Sequence, residues 1–159
     1  MEALVAHKTQ ETNQFLTFLL DAQEYGLELF KIREICGYAP VTPIPNVPPH
    51  VRGVMNLRGT VLPVVDLRMK FRLPAVEYSK FTVIVIAMVA EKMVGLLVDA
   101  VSDVLHVAQD AMRPAPDFGA AVDTQFINGV FQSRDRLAVA LDLEKLLSES
   151  ELAVPEMAN

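Results

Sequence analysis

Tryptophan is absent from the 159-residue chain, cysteine occurs once, and histidine occurs three times. A single thiol, Cys36, cannot close an internal disulfide, and such cysteine usage fits a reducing compartment. Its expected role is a small apolar filler rather than a reactive group. His7, His50 and His106 are scattered, and none has a second ligand at metal spacing, which excludes the common zinc patterns. Positive charge is scarce: 14 Lys and Arg stand against 20 Asp and Glu, a net charge of -6. No basic stripe forms, so a nucleic-acid backbone would be repelled. The longest apolar run, F-T-V-I-V-I-A-M-V-A at 81–90, is half of the roughly 20 residues that a membrane helix needs. No basic start followed by an apolar stretch and a cleavage site opens the chain, and a soluble cytoplasmic protein is expected. Catalytic signatures are missing as well. There is no G-x-S-x-G or H-E-x-x-H, and the stretch from Gly53 to Gly59 lacks the Lys-Ser/Thr of a phosphate-binding loop. No enzyme, cofactor or metal is expected.

What is present is apolar residue, 52% of the chain, enough for a substantial core at this length. Short β-rich runs alternate with turn signals, beginning with F-L-T-F-L-L at 15–20 and a turn at 21–24. The segment Y-G-L-E-L-F-K-I-R-E-I at 25–35 fits neither period, although Leu29, Ile32 and Ile35 would suit a short helical turn. Five prolines make A-P-V-T-P-I-P-N-V-P-P-H at 39–50 loop or extended chain.

The two halves resemble each other. G-V-M-N-L-R-G-T-V-L-P-V-V-D-L at 53–67 aligns without a gap on G-V-F-Q-S-R-D-R-L-A-V-A-L-D-L at 129–143, an offset of 76. Y-G-L-E-L-F-K-I-R-E-I aligns on V-G-L-L-V-D-A-V-S-D-V at 94–104, an offset of 69, with the insertion between them falling within 108–125. About five short strands per unit suit a small barrel better than an open sheet. Pro63, inside an apparent strand, points to the bulge of a barrel corner. Asp142 is a plausible N-cap for a helix at 142–151, where Leu143, Leu146 and Leu147 share a face. The expected fold is mostly β: two pseudo-symmetric five-stranded SH3-like barrels side by side, about 14–75 and 78–143, and a short C-terminal helix. Residues 14–150 would form one domain, with flexible tails at 1–13 and 152–159.

The run G-V-M-N-L-R-G-T-V-L-P-V-V-D-L-R, preceded by E-Y-G-L-E-L-F-K-I-R-E-I and followed by V-G-L-L-V-D-A-V-S-D-V-L and M-R-P-A-P-D-F, resembles the CheW family of chemotaxis coupling proteins. The resemblance spans about residues 14–148, and its N-L-R-G-x-x-x-P-V-V-D-L core is specific. It implies two SH3-like barrels, and a non-catalytic adaptor joining the cytoplasmic tips of methyl-accepting chemotaxis receptors to the histidine kinase CheA. The implied location is the cytoplasmic face of the inner membrane, in receptor arrays. Carried onto this sequence, it implies a receptor-binding face of Ile32, Glu34, Ile35, Gly53, Val54, Asn56 and Arg58. A helical hairpin would lie on that face.

Arg58 is expected to pair with Glu34; the alternative is a scaffold pair with Asp66. Gly53 and Gly59 would serve positive φ or close backbone approach. For the kinase contact the candidates are Arg113 and Phe118 in the second long loop, and Thr42 and Ile44 in the first. Phe118 could equally fold back as a lid on the second barrel. Two rival classes, a small-molecule or oligonucleotide-binding barrel and an enzyme on a duplicated barrel, predict interleaved aromatic and basic residues or a polar constellation. Neither pattern occurs.

Overall fold

The computed structural model describes residues 12–114 and 124–153. Strand β1 (Thr12–Leu20) turns at Asp21 and Ala22 into β2 (Gln23–Glu28), Asp21 taking a left-handed φ of 56°. A 3-10 turn over Leu29–Lys31 leads to β3 (Ile32–Gly37). After the proline-rich loop come β4 (Val51–Leu57), β5 (Thr60–Asp66) and the one-turn helix α1 (Leu67–Lys70). The second half repeats the series with β6 (Val83–Val89), β7 (Lys92–Val98), β8 (Ala100–Ala108), β9 (Ile127–Ser133) and β10 (Arg136–Leu141). Helices α2 (Leu143–Leu146) and α3 (Glu149–Leu152) follow.

The strands form two five-stranded sheets, as expected, but not two consecutive ones. One sheet runs β8-β1-β2-β10-β9 and the other β3-β6-β7-β5-β4. The expected division at 75–78 is therefore corrected: each half lends its first hairpin to the sheet completed by the other half. The seams are the two parallel pairs, β2 with β10 and β7 with β5. They obey the sequence repeat, since Gly26 faces Ala140 while Gly95 faces Val64. A short 3-10 turn after β2 carries the chain across to the other sheet, so the unit never closes on itself.

Each sheet curls toward closure through one bridge. Beyond β3 the chain returns to β4 at Thr42 and Val54, and beyond β8 it returns to β9 at Arg113 and Val130. Met55, Leu62, Val64, Ile84, Ile86 and Leu97 fill one curl, all from a single sheet. Phe15, Val107, Phe131, Ala138 and Ala140 fill the other. The largest core lies between the sheets and takes Leu16, Phe18 and Leu27 from one and Val65, Val85 and Leu96 from the other. Burying both faces of a sheet explains why β6 reads as continuous V-I-V-I-A-M-V rather than as an alternation.

Pro63 is not itself a bulge. The β4 register shift lies between Val51 and Gly53. Pro63 has no N–H to offer, and the ladder from β5 to β7 begins just after it, at Val64. In the other sheet the equivalent ladder begins two residues earlier, at Ala138. The strands part there and leave a cleft of about 430 Å³ lined by Val61, Pro63, Met88, Met93 and Leu152.

The single C-terminal helix expected at 142–151 is also corrected. Asp142 does cap α2, accepting from the Lys145 N–H. The helix stops at Leu147 because Ser148 and Glu151 form a new capping box, in which Glu151 Oε1 accepts from the Ser148 N–H at 2.6 Å and Ser148 Oγ from the Glu151 N–H at 3.4 Å. The other carboxylate oxygen of Glu151 meets Lys70 Nζ at 2.6 Å and the His50 ring. Only 3% exposed, this carboxylate ties the C-terminal turn to the α1 and β4 region.

Candidate functional site

Arg58 is not inside a strand. Leu57 pairs with Thr60, so Arg58 and Gly59 are the two residues of a hairpin turn, with φ of 51° and 93°. Turns of this geometry favour Asn-Gly, because both residues take positive φ, and an arginine at the first position is a strained choice. Asn56 holds the turn, its Oδ1 accepting from the Gly59 N–H at 2.8 Å. The tip is thereby aimed at β3, where both terminal nitrogens of Arg58 donate to the two oxygens of Glu34. That pair forms as expected. The alternative partner is occupied, since Asp66 caps α1 and accepts from the Tyr78 hydroxyl at 3.0 Å.

Hydrogen bonds from Arg58 and then from the Cys36 thiol hold the Glu34 carboxyl below its ordinary value. Burial, then the Glu34 contact, pushes the Cys36 thiol up, the direction of an inert thiol. The arginine side chain remains 70% exposed. An ion pair so open to water adds little to folding stability, while the positive φ at the tip is what a two-residue hairpin requires, as at Ala90 and Glu91 between β6 and β7.

A bulge in β3 sorts its side chains. The register skips Arg33, so Ile32 and Ile35 face Ala87 and Val85 of the central core, while Glu34 and Cys36 face Ile86 and Ile84 of the curl. The expected apolar strip and the acid thus lie on opposite faces of one edge strand. Ile32 packs on the core, and Ile35 is left 44% exposed.

Gly53 and Val54 are buried. They hold the proline-rich loop, Thr42 and Val54 exchanging backbone hydrogen bonds of 2.8 and 2.9 Å. Ile44 is half-buried in the same loop. Arg113 makes the matching exchange with Val130, so the structure puts it and Thr42 on different sheets. Phe118 lies outside the described residues. Sequence reasoning missed Phe30, which stands 75% exposed on the 3-10 turn just before β3, with Lys31 Nζ 5.9 Å from its ring. The available signal was an aromatic in a segment that kept neither period. No group of three or more His, Cys, Asp or Glu that could hold a metal gathers among the described residues, and no described helix is long and apolar enough to cross a membrane.

Residues 14–151 match the model of the CheW-like domain. The chain belongs to the CheW family. It is 41% identical over 141 residues to the chemotaxis protein CheW of Klebsiella aerogenes, covering 89% of this chain and 85% of that one. Against CheW of Bacillus subtilis the identity is 32% over 148 residues, covering 91% and 94%. Among solved structures, the scaffolding protein TtCheW of Thermoanaerobacter tengcongensis superposes with a TM-score of 0.80 at 30% identity, over 88% of this chain and 97% of that one. The CheW assignment makes this chain a chemotaxis scaffold or adaptor, a role in keeping with an exposed clamp on a well-packed double sheet.

Proposed function

We propose that the protein couples the cytoplasmic tips of methyl-accepting chemotaxis receptors to the histidine kinase CheA, without catalysis of its own, in arrays at the inner face of the membrane. The observation that carries this reading is the Glu34–Arg58 clamp, an exposed ion pair on an edge strand whose opposite face carries the exposed Ile35, with Phe30 exposed on the turn before that strand. Exposed arginine and aromatic residues are the types enriched at interface hot spots. An amphipathic receptor hairpin laid along this edge would meet Ile35 with its apolar stripe and the clamp on the other face of the strand with its polar flank. For the kinase contact we assign the loop of Arg113, with the loop of Thr42 and Ile44 as the second candidate; the Arg113–Val130 and Thr42–Val54 bridges fix these loops to different sheets.

Arg58→Ala separates the two roles that this residue could have. Receptor-containing membranes should retain several-fold less of the variant in co-sedimentation, while its melting temperature stays where it was. A large loss of stability with receptor binding intact would return Arg58 to the scaffold.

A further inference from the structure

Pro63 opens a gap in the hydrogen-bond ladder as well as in the shape of the sheet. In the sequence repeat it stands where Val139 stands, and Met93 stands where Glu24 stands. The ladder from β10 to β2 starts at Ala138 with Glu24, whereas the ladder from β5 to β7 starts only at Val64 with Gly95. Continued in its own register, the second ladder would have residue 63 donate its N–H to the Met93 carbonyl, and proline has none to give.

The hairpin turns show what is left open. Leu57 with Thr60 and Val89 with Lys92 close two-residue turns and exchange both hydrogen bonds. The next residues, Val61 and Met93, therefore point their N–H and C=O groups away from their own hairpin partners and toward the cleft. Neither is paired across it among the described residues. At about 430 Å³ the cleft is at the small end for a binding cavity, which suits a few extended residues rather than a helix. Val61, Pro63, Met88 and Met93 make its lining apolar, and the exposed Glu91 and Lys92 supply its charge.

The course of the chain points to what covers it. Helix α3 packs on β5 and β7 and sets Leu152, itself buried, into the wall of the cleft. Ala153 then emerges exposed beside it. Residues 154–159, V-P-E-M-A-N, lie outside the described residues and can span up to about 20 Å when extended. A proline in second place disfavours further helix and favours extended backbone at the residue before it. In an extended run, Pro155 and Met157 share one side and Val154 and Glu156 the other. That sequence offers an apolar side to the methionine-lined wall and an acid to Lys92.

We propose that residues 154–157 are the occupant of this cleft, an extended stretch of the same chain laid between β5 and β7 in place of the missing ladder. It exchanges backbone hydrogen bonds with Val61 and Met93 and buries Met157 against Met88 and Met93. Strand addition of this kind draws its affinity from main-chain bonds and its specificity from alternate side chains. Thr60 lines the same cleft and directly follows the Arg58 turn, so a filled cleft also steadies the base of the clamp.

The test is nuclear magnetic resonance on the full chain. Overhauser contacts between the Met157 methyl and the methyls of Met88, Met93 or Val61 are expected. The Val61 and Met93 amides should exchange with solvent roughly tenfold more slowly than in a chain shortened after Ala153. Met157→Asp in the full chain should abolish the contacts and speed both amides, with circular dichroism unchanged. A peptide of residues 154–159 added to the shortened chain should restore the slow exchange. Absent contacts, with equal exchange in the full and shortened chains, would overturn the proposal. Contacts that fade on dilution would overturn it too, because they would place another molecule's segment in the cleft.

Discussion

Gly53→Val should unfold the protein about 10 °C below the parent, a loss of about 3 kcal/mol or more. The glycine has a φ of 145°, a region that side-chain-bearing residues rarely enter, and a Cβ there would stand 2.1 Å from the Thr42 carbonyl oxygen and 2.9 Å from Pro43 Cα. These neighbours are backbone and cannot swing aside. Relief requires the proline-rich loop to leave β4 and break both hydrogen bonds between Thr42 and Val54. Gly59 supplies the control. Its φ is 93° but nothing lies within 4 Å of an added Cβ, so Gly59→Ala meets conformational strain alone, about 1 kcal/mol. Thermal melts of the two variants check the difference; equal, small losses would mean that the loop is not held at Gly53.

The second large effect is at the C-terminal turn. Glu151→Ala should cost about 3 kcal/mol, because it leaves Lys70 without its buried partner and removes one half of the capping box. Burial alone would raise the Glu151 carboxyl, but hydrogen bonds from Lys70, the Ser148 N–H and His50 outweigh it and hold the group below its usual value of 4.5. A carboxyl depressed in the folded state contributes its stability in full above the unfolded value, and loses it as the pH falls through the folded one. The parent and Glu151→Gln should therefore differ clearly in melting temperature at pH 7 and converge in acid, below the usual carboxylate range. Parallel curves from neutral to acid pH would remove Glu151 from the latch.

Much of this organisation was legible from particular residues. Gly26 with Gly95, and Arg58 with Arg134, announced the repeat, whereas the Glu34–Arg58 contact was expected only through the family resemblance, with Asp66 as the alternative partner. The partnering of strands was not legible, because β2 would satisfy the same hydrophobic pattern beside β5 as beside β10. Only the parallel seams decide it. Arg58 looked like a strand residue because N-L-R-G lacks the Asn-Gly signal of a tight hairpin; the side chain of Asn56 braces the turn from outside those two positions. The bulge at Arg33 left no mark in composition, yet it separates Ile32 and Ile35 from Glu34. By contrast, the break at Leu147 was written in Ser148 and Glu151, a capping box three residues apart that the leucine spacing on either side obscured.

The coupling role is tested most directly by CheA autophosphorylation in receptor-containing membranes, measured with and without this protein. The account predicts strong activation when the chain is added, removed by attractant and greatly reduced with Arg58→Ala. A folded chain that leaves the kinase at its basal rate, with or without attractant, would contradict it.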